Sequence, residues 1–204
     1  MFVSGNPVLI STNMQFQKAE QFITKLLKSE LAGSLFYHNY EHTVNVLNAA
    51  IEIANDEKVN SKDVLLLKTA ALFHDCGFTK TYHGHEEEGC HMAREHLPSF
   101  DYTKDEIEAI CILIMATRTP QNPKTLLEKI LCDADLFYLG TDAFEETGQK
   151  LFKEWHVRGK IQSEDEWDEL QIKFLESHRY FTPSAITKLG RKKAEHLQKL
   201  KERV

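Results

Sequence analysis

The chain has 204 residues, 42% of them hydrophobic and 27% charged, with a formal net charge of -6. This is the profile of one globular domain with enough apolar mass for a core. The acidic balance argues against a nucleic-acid partner, which needs a basic face. No apolar run approaches the roughly 20 residues that cross a bilayer, so no membrane partner is expected.

Residues 1–12 hold Gly5, Pro7 and a Ser-Thr-Asn cluster and read as irregular. Asn13 can cap a first helix, where Phe16, Ala19, Phe22, Ile23, Leu26 and Leu27 recur at helical spacing. A second helix includes His42 and carries Val46, Leu47, Ala50, Ile51 and Ala54. Residues 55–60 form a polar turn. Ser61 then caps a third helix, apolar nearly all round and therefore expected to be buried. It runs to His74, and Gly77 is placed to terminate it in a left-handed conformation. A fourth helix is expected over residues 86–97, with Pro98 past its end. Thr103 and Glu106 make a capping box for a fifth, reaching about residue 117. A sixth spans residues 124–139 and is ended by Gly140, and a seventh spans residues 143–158. Ser163 and Glu166 make a second capping box, and Thr182-Pro183 opens a ninth helix that nearly reaches the C-terminus.

No alternating strand pattern and no internal repeat is visible. The expected fold is an all-α, single-domain bundle of about eight or nine helices over residues 13–204. Its core spans about residues 36–140, and residues 141–204 form a helical extension. The amphipathic last helix either folds back on its own domain or pairs with a second copy as a homodimer. Cys76, Cys90, Cys111 and Cys132 form no C-x-x-C pair and read as reduced thiols of an intracellular, cytoplasmic protein. The first residues show no basic, then apolar, targeting pattern.

Three segments carry chemistry. The first is Tyr37-His38-Asn39-Tyr40-Glu41-His42. The second is an apolar run ending in His74-Asp75, with Gly77 beyond. The third is Cys132-Asp133-Ala134-Asp135-Leu136. Imidazoles and carboxylates without thiolate suit one divalent ion: Mn, Fe, Co, Ni, Zn or Mg. Three separated segments converging on an ion leave positions open for water and substrate, as a hydrolytic centre requires. If the second helix begins by His38, then His38 and His42 share one face. If it starts later, His38 sits on the entering loop beside His42.

His42, His74-Asp75 and Asp135, in that order, resemble the H…HD…D signature of the HD-domain superfamily of metal-dependent phosphohydrolases. The resemblance covers about residues 36–140. It implies a metal held by His42, His74, Asp75 and Asp135, with Asp75 also orienting the attacking water. In the family's D-x-D version the second aspartate is usually the ligand, which gives Asp133 a supporting role. Tyr37-His38-Asn39 before His42 resembles the Y-H-N-x-x-H segment of cyclic-nucleotide phosphodiesterases, where the first histidine is the general acid. By that likeness His38 donates the proton to the leaving oxygen. His85 resembles the first of two extra histidines in binuclear members. Where the second would stand, the chain has Met115-Ala116-Thr117-Arg118. One ion is therefore implied, with His85 lining its site or bridging to a second.

Arg118 and Lys80 are placed to neutralise a phosphate, and Tyr138 either faces the cavity or fills core. Many relatives carry Arg or Lys right after the last aspartate, whereas this chain has Leu136. Trp155 and Trp167 read as packing residues. The implied activity is hydrolysis of a phosphoester or phosphoanhydride in a nucleotide or other small phosphorylated metabolite. Two alternatives stand beside it: a di-iron oxygenase of the same fold, and a nucleotide-binding regulator that keeps fold and metal without turnover.

Overall fold

A computed structural model describes residues 14–203; the expected irregular segment 1–12 and the Asn13 cap lie outside them. Among the described residues nine α-helices follow one another: α1 (Phe16–Glu30), α2 (Tyr40–Asp56), α3 (Ser61–Phe73), α4 (His85–His96), α5 (Lys104–Ala116), α6 (Leu126–Asp135), α7 (Phe144–Val157), α8 (Glu164–Ser177) and α9 (Pro183–Lys201). Short 3-10 turns occupy Cys76–Thr79, Leu97–Phe100 and Phe137–Gly140. No strand occurs among the described residues, so the chain is all-α as its periodicity implied.

The helix starts follow from side-chain caps, which satisfy amides that lack an intrahelical partner. Thr103 Oγ1 accepts from Glu106 N at 3.3 Å while Glu106 Oε2 accepts from Thr103 N at 2.9 Å, a complete capping box. The second expected box is shifted by one residue. Ser163 Oγ accepts from Glu166 N, but Glu166 Oε2 accepts from Gln162 N instead of Ser163 N. At α3 the cap is Asn60, not Ser61: its Oδ1 accepts from Asp63 N at 3.1 Å, and Ser61 is already helical.

Helix α3 is the central element. Leu67, Ala70, Ala71, Leu72 and Phe73 are buried. Around them pack α1, α2, α5 and α6. Each buried Leu or Phe contributes about 1.5–3 kcal/mol relative to exposure. The burial also fixes the direction in which the chain leaves the helix at His74. Helix α9 folds back on α8 and on the turn Phe137–Gly140, burying Ala185, Leu189, His196 and Leu200.

Two glycines act differently from expectation. Gly77 does not take a left-handed backbone; among the described residues the positive-φ glycines are Gly84 and Gly159. Instead it permits a close approach, since a Cβ at Gly77 would lie 2.0 Å from His85 O. The start of α4 rests directly on this bare backbone. Helix α6 ends at Asp135 rather than near residue 139, because the chain tightens into the turn Phe137–Gly140. At Gly140 a Cβ would lie 2.5 Å from Leu189 Cβ, so that turn is the seat of α9. All four cysteines are free and buried. No helix among the described residues is long and apolar enough to cross a membrane.

Candidate metal centre

Each residue of the H, HD, D set stands at a helix end. Asn39 is the N-cap of α2, and its Oδ1 accepts from His42 N at 3.0 Å, which holds His42 in the first turn. His38 therefore sits on the entering loop. His74 caps the C-terminus of α3, and Asp75 follows as the chain leaves the helix. Asp135 is the last residue of α6.

These ends meet. His42 Nε2 lies 3.3 Å from Asp75 Oδ2 and 3.2 Å from Asp135 Oδ1. His74 Nε2 lies 3.2 Å from Asp75 Oδ2 and 3.6 Å from Asp135 Oδ1. The two Nε2 atoms are 3.3 Å apart. His74 Nδ1 donates to Ala71 O at 2.8 Å. A carbonyl only accepts, so in the neutral ring the lone pair belongs to Nε2, the atom aimed at the carboxylates. Burial alone would raise the Asp135 carboxyl, but its bonds to His42 and His74 outweigh it and leave it at about 2. Asp75 is likewise held well below the carboxylate range. Burial opposes charge on His42 and His74, yet the two aspartates hold both imidazoles above the ordinary histidine value. This pocket of facing donors wants a cation. One donor atom each from His42, His74 and Asp135 lie within 4.8 Å of one another, an arrangement compatible with a divalent metal.

The other predicted residues divide into two groups. His38, His85 and Tyr138 line the same cavity as Asp75 and Asp135, a space of about 360 Å³. His85 Nε2 is 3.5 Å from Asp75 Oδ1, and its ring stacks on Phe78 at 3.9 Å. The two oxygens of Asp75 thus face different nitrogens. Asp133, Arg118 and Lys80 are not brought to the centre. Asp133, expected to support a ligand imidazole, instead spends both oxygens on the start of α9. It accepts from Phe181 N and Thr182 N at 2.8 Å each and from Thr182 Oγ1 at 2.7 Å. Arg118 pairs with Glu87 and lies 3.6 Å from Glu86 Oε2. Lys80 pairs with Glu30 at 3.0 Å.

The sequence reading missed Glu154, a fully buried carboxylate on α7. Its Oε1 accepts from His38 Nδ1 at 2.6 Å and from Tyr82 OH at 3.2 Å. Its Oε2 accepts from Tyr37 N and His38 N at 3.0 and 3.1 Å. Burial alone would raise this carboxyl, but His38 and the two amides leave it below the ordinary glutamate value. One sign was readable: Glu154 follows Leu151 by three residues on the inward stripe of Phe144, Gly148, Leu151 and Trp155. Trp155 and Trp167 were also missed, since both line the cavity.

The HD domain family matches residues 39–138. A crystal structure of a predicted HD superfamily hydrolase from an uncultured Thermotogales bacterium superposes with a TM-score of 0.61 at 22% identity, over 91% of this chain and 89% of that one. Bacillus subtilis YpgQ superposes with a TM-score of 0.65 at 15% identity, over 93% and 95% of the two chains. The same protein in complex with ADP gives 0.63 at 16% identity, over 90% and 94%. At these identities the likeness speaks for the fold. No curated protein matches the chain. The matched segment holds His42, His74, Asp75 and Asp135 in their expected order, and residues 39–138 of the chain are an HD domain.

Proposed function

We propose that this protein is a metal-dependent phosphohydrolase that cleaves a phosphoester or phosphoanhydride in a nucleotide or another small phosphorylated metabolite. The observation that carries the reading is Asp75 Oδ2. It is buried beside two imidazole nitrogens and an opposing carboxylate, yet it has no hydrogen-bond partner. A buried carboxylate oxygen left alone is costly, and a cation shared with its neighbours removes the cost. Donors about 2.1 Å from one ion lie roughly 3 Å from each other, close to the 3.2–3.6 Å found between these imidazoles and carboxylates. His42, His74, Asp75 and Asp135 would hold the ion.

When bound, such an ion supplies a water-derived nucleophile at neutral pH and polarises a phosphoryl oxygen. The chain's own residues do the rest. Asp75 Oδ1, on the cavity side near His85, accepts a hydrogen bond from the attacking water and orients it. The water oxygen bonds to phosphorus as the bond from phosphorus to the leaving oxygen breaks. His38, held at Nδ1 by Glu154, presents Nε2 to the leaving oxygen and gives it a proton. Tyr37 and Tyr138 form the wall beside Asp135. Arg118 and Lys80 would have to leave Glu87 and Glu30 to reach a phosphate. That a protein of this fold, YpgQ, is found in complex with ADP supports a small phosphorylated ligand.

The test is phosphate release from nucleotides, cyclic nucleotides and sugar phosphates, each with Mn, Mg, Co, Ni, Zn and Fe. Asp75→Ala is assayed beside the wild type, with metal content measured by mass spectrometry. We expect one ion per chain in the wild type. The variant should lose that ion, and release should fall at least about 100-fold. Retained metal and retained release in Asp75→Ala would sink the assignment. Two irons per chain with oxygen uptake would replace it by an oxygenase.

A further inference from the structure

We propose that the substrate carries one phosphate group on a bulky aromatic or apolar body, and that the site discriminates against nucleoside di- and triphosphates. This rests on the phosphohydrolase reading and concerns the cavity next to the metal centre.

The argument is one of charge. Among the described residues no lysine or arginine lines this cavity. Residues 1–13 and Val204, outside the description, contain none in their sequence. Its carboxylates and imidazoles are Asp75, Asp135, Glu86, His38 and His85, and its remaining ionisable groups are the phenols of Tyr37 and Tyr138. Asp75 and Asp135 already balance a divalent ion, and at the rim two carboxylates, Glu86 and Glu87, share the single Arg118 guanidinium, which leaves a net negative charge there. A nucleoside diphosphate brings about three negative charges at neutral pH, and a single ester phosphate about two or fewer. Phosphates attached to the reacting one would meet Glu86 and uncharged walls. Arg118, which could have answered them, is already shared between Glu87 and Glu86. Lys129 and Arg179 line a second chamber, which shares Thr119, Leu136 and Phe174 with the first.

The rest of the wall favours an organic body. Leu151 and Trp155 of α7 and Trp167, Leu170, Phe174 and Leu175 of α8 line the same cavity as Asp75 and Asp135. Trp155 and Trp167 stand edge to face at 5.9 Å. About 360 Å³ admits a ring system of drug-like size. Apolar contact there is gained only by a ligand that brings surface to bury. The ADP bound to YpgQ does not bear on this wall, since at 16% identity the fold is shared and the lining is this chain's own.

Both tryptophans of the sequence line the cavity, so intrinsic fluorescence reports on it specifically. Metal-loaded protein is titrated with methylphosphonate, 4-biphenylphosphonate, ADP and inorganic pyrophosphate. The phosphonates are not hydrolysed, so binding is read whether or not turnover occurs. We expect 4-biphenylphosphonate to bind at least tenfold more tightly than each of the other three. Leu170→Arg, at the half-open rim, should shift the preference at least tenfold towards ADP. ADP or pyrophosphate binding as tightly as the biphenyl compound, or no gain from the biphenyl group, overturns the proposal. Faster hydrolysis of ADP than of aryl phosphates also overturns it and leaves the phosphohydrolase standing. Biphenylphosphonate binding with no ester hydrolysed under any metal does the reverse.

Discussion

His38 and Glu154 lie 116 positions apart, yet the carboxylate clasps the imidazole and both amides of the loop that carries it. With Nδ1–H engaged by Glu154, Nε2 is the ring nitrogen left to serve as the proposed proton donor. Glu154→Gln keeps the shape and can still accept from the two amides, but it removes the charge that holds the ring. We expect kcat to fall about 10–100-fold on alkyl phosphate esters with little change in KM. On nitrophenyl esters, whose leaving oxygen needs less help from a proton, the loss should be much smaller. Equal losses on both ester types would show that Glu154 holds only the loop. The H, HD, D residues were legible because each stands at a helix end that local pattern can find. Glu154 was harder to see, because beside Lys153 it looks like one more solvated charge, and its place on the inward stripe of α7 gains meaning only from a long-range contact. Asp133 was misread for the same reason, its partners Phe181 and Thr182 lying 48 and 49 positions away.

Helices α8 and α9 are joined through His178, which caps the end of α8 beneath Lys193 of α9. Its Nε2 is buried without a partner, and Tyr180 and Phe174 flank the ring. Burial first, and the Lys193 charge second, push this imidazole down to about 4. In the folded chain it stays neutral until about pH 4, whereas unfolded it takes a proton near 6.5. Between those values the unfolded state binds the extra proton, so stability falls as pH falls. By pH 4.5 the loss through this group amounts to about 2–3 kcal/mol relative to pH 7. His178→Phe keeps an aromatic ring in the seam and removes the titration. Urea unfolding at both pH values should show a smaller acid loss in the variant, and an unchanged loss would refute the assignment. At this scale the sequence was a good guide, since polar caps and apolar stripes are local. It failed at Gly77 and Gly140, where the reason for glycine is a neighbouring helix from elsewhere in the chain.

The segment that matches the HD family stops at residue 138, but the molecule's buried interactions do not. Asp133 needs the start of α9 for all three of its hydrogen bonds, His38 needs Glu154 of α7, and Gly140 seats Leu189. Removing residues 142–204 would strand Asp133 as a buried carboxylate without donors, at about 1–3 kcal/mol or more. It would also open the core over Leu139. We expect such a fragment to lose cooperative thermal unfolding and to bind hydrophobic dyes. A fragment that melts sharply and still takes up one divalent ion would show that α7–α9 are an accessory. The all-α class was legible from helical spacing throughout, whereas the dependence of the first half on the last three helices was not.

The apolar part of the cavity wall is supplied largely by α7 and α8, while the proposed metal donors come from α2, α6 and the end of α3. Reactivity and selectivity are therefore written on separate stretches of one gene. The second stretch can drift, substituting Leu151, Trp155, Leu170 or Phe174, without disturbing the donor set, provided Glu154 and the seat of α9 are kept. Lineages built on this plan can diversify in what they accept while conserving how they cut, and an engineer could exchange residues 141–177 around a fixed Glu154 to change the former alone.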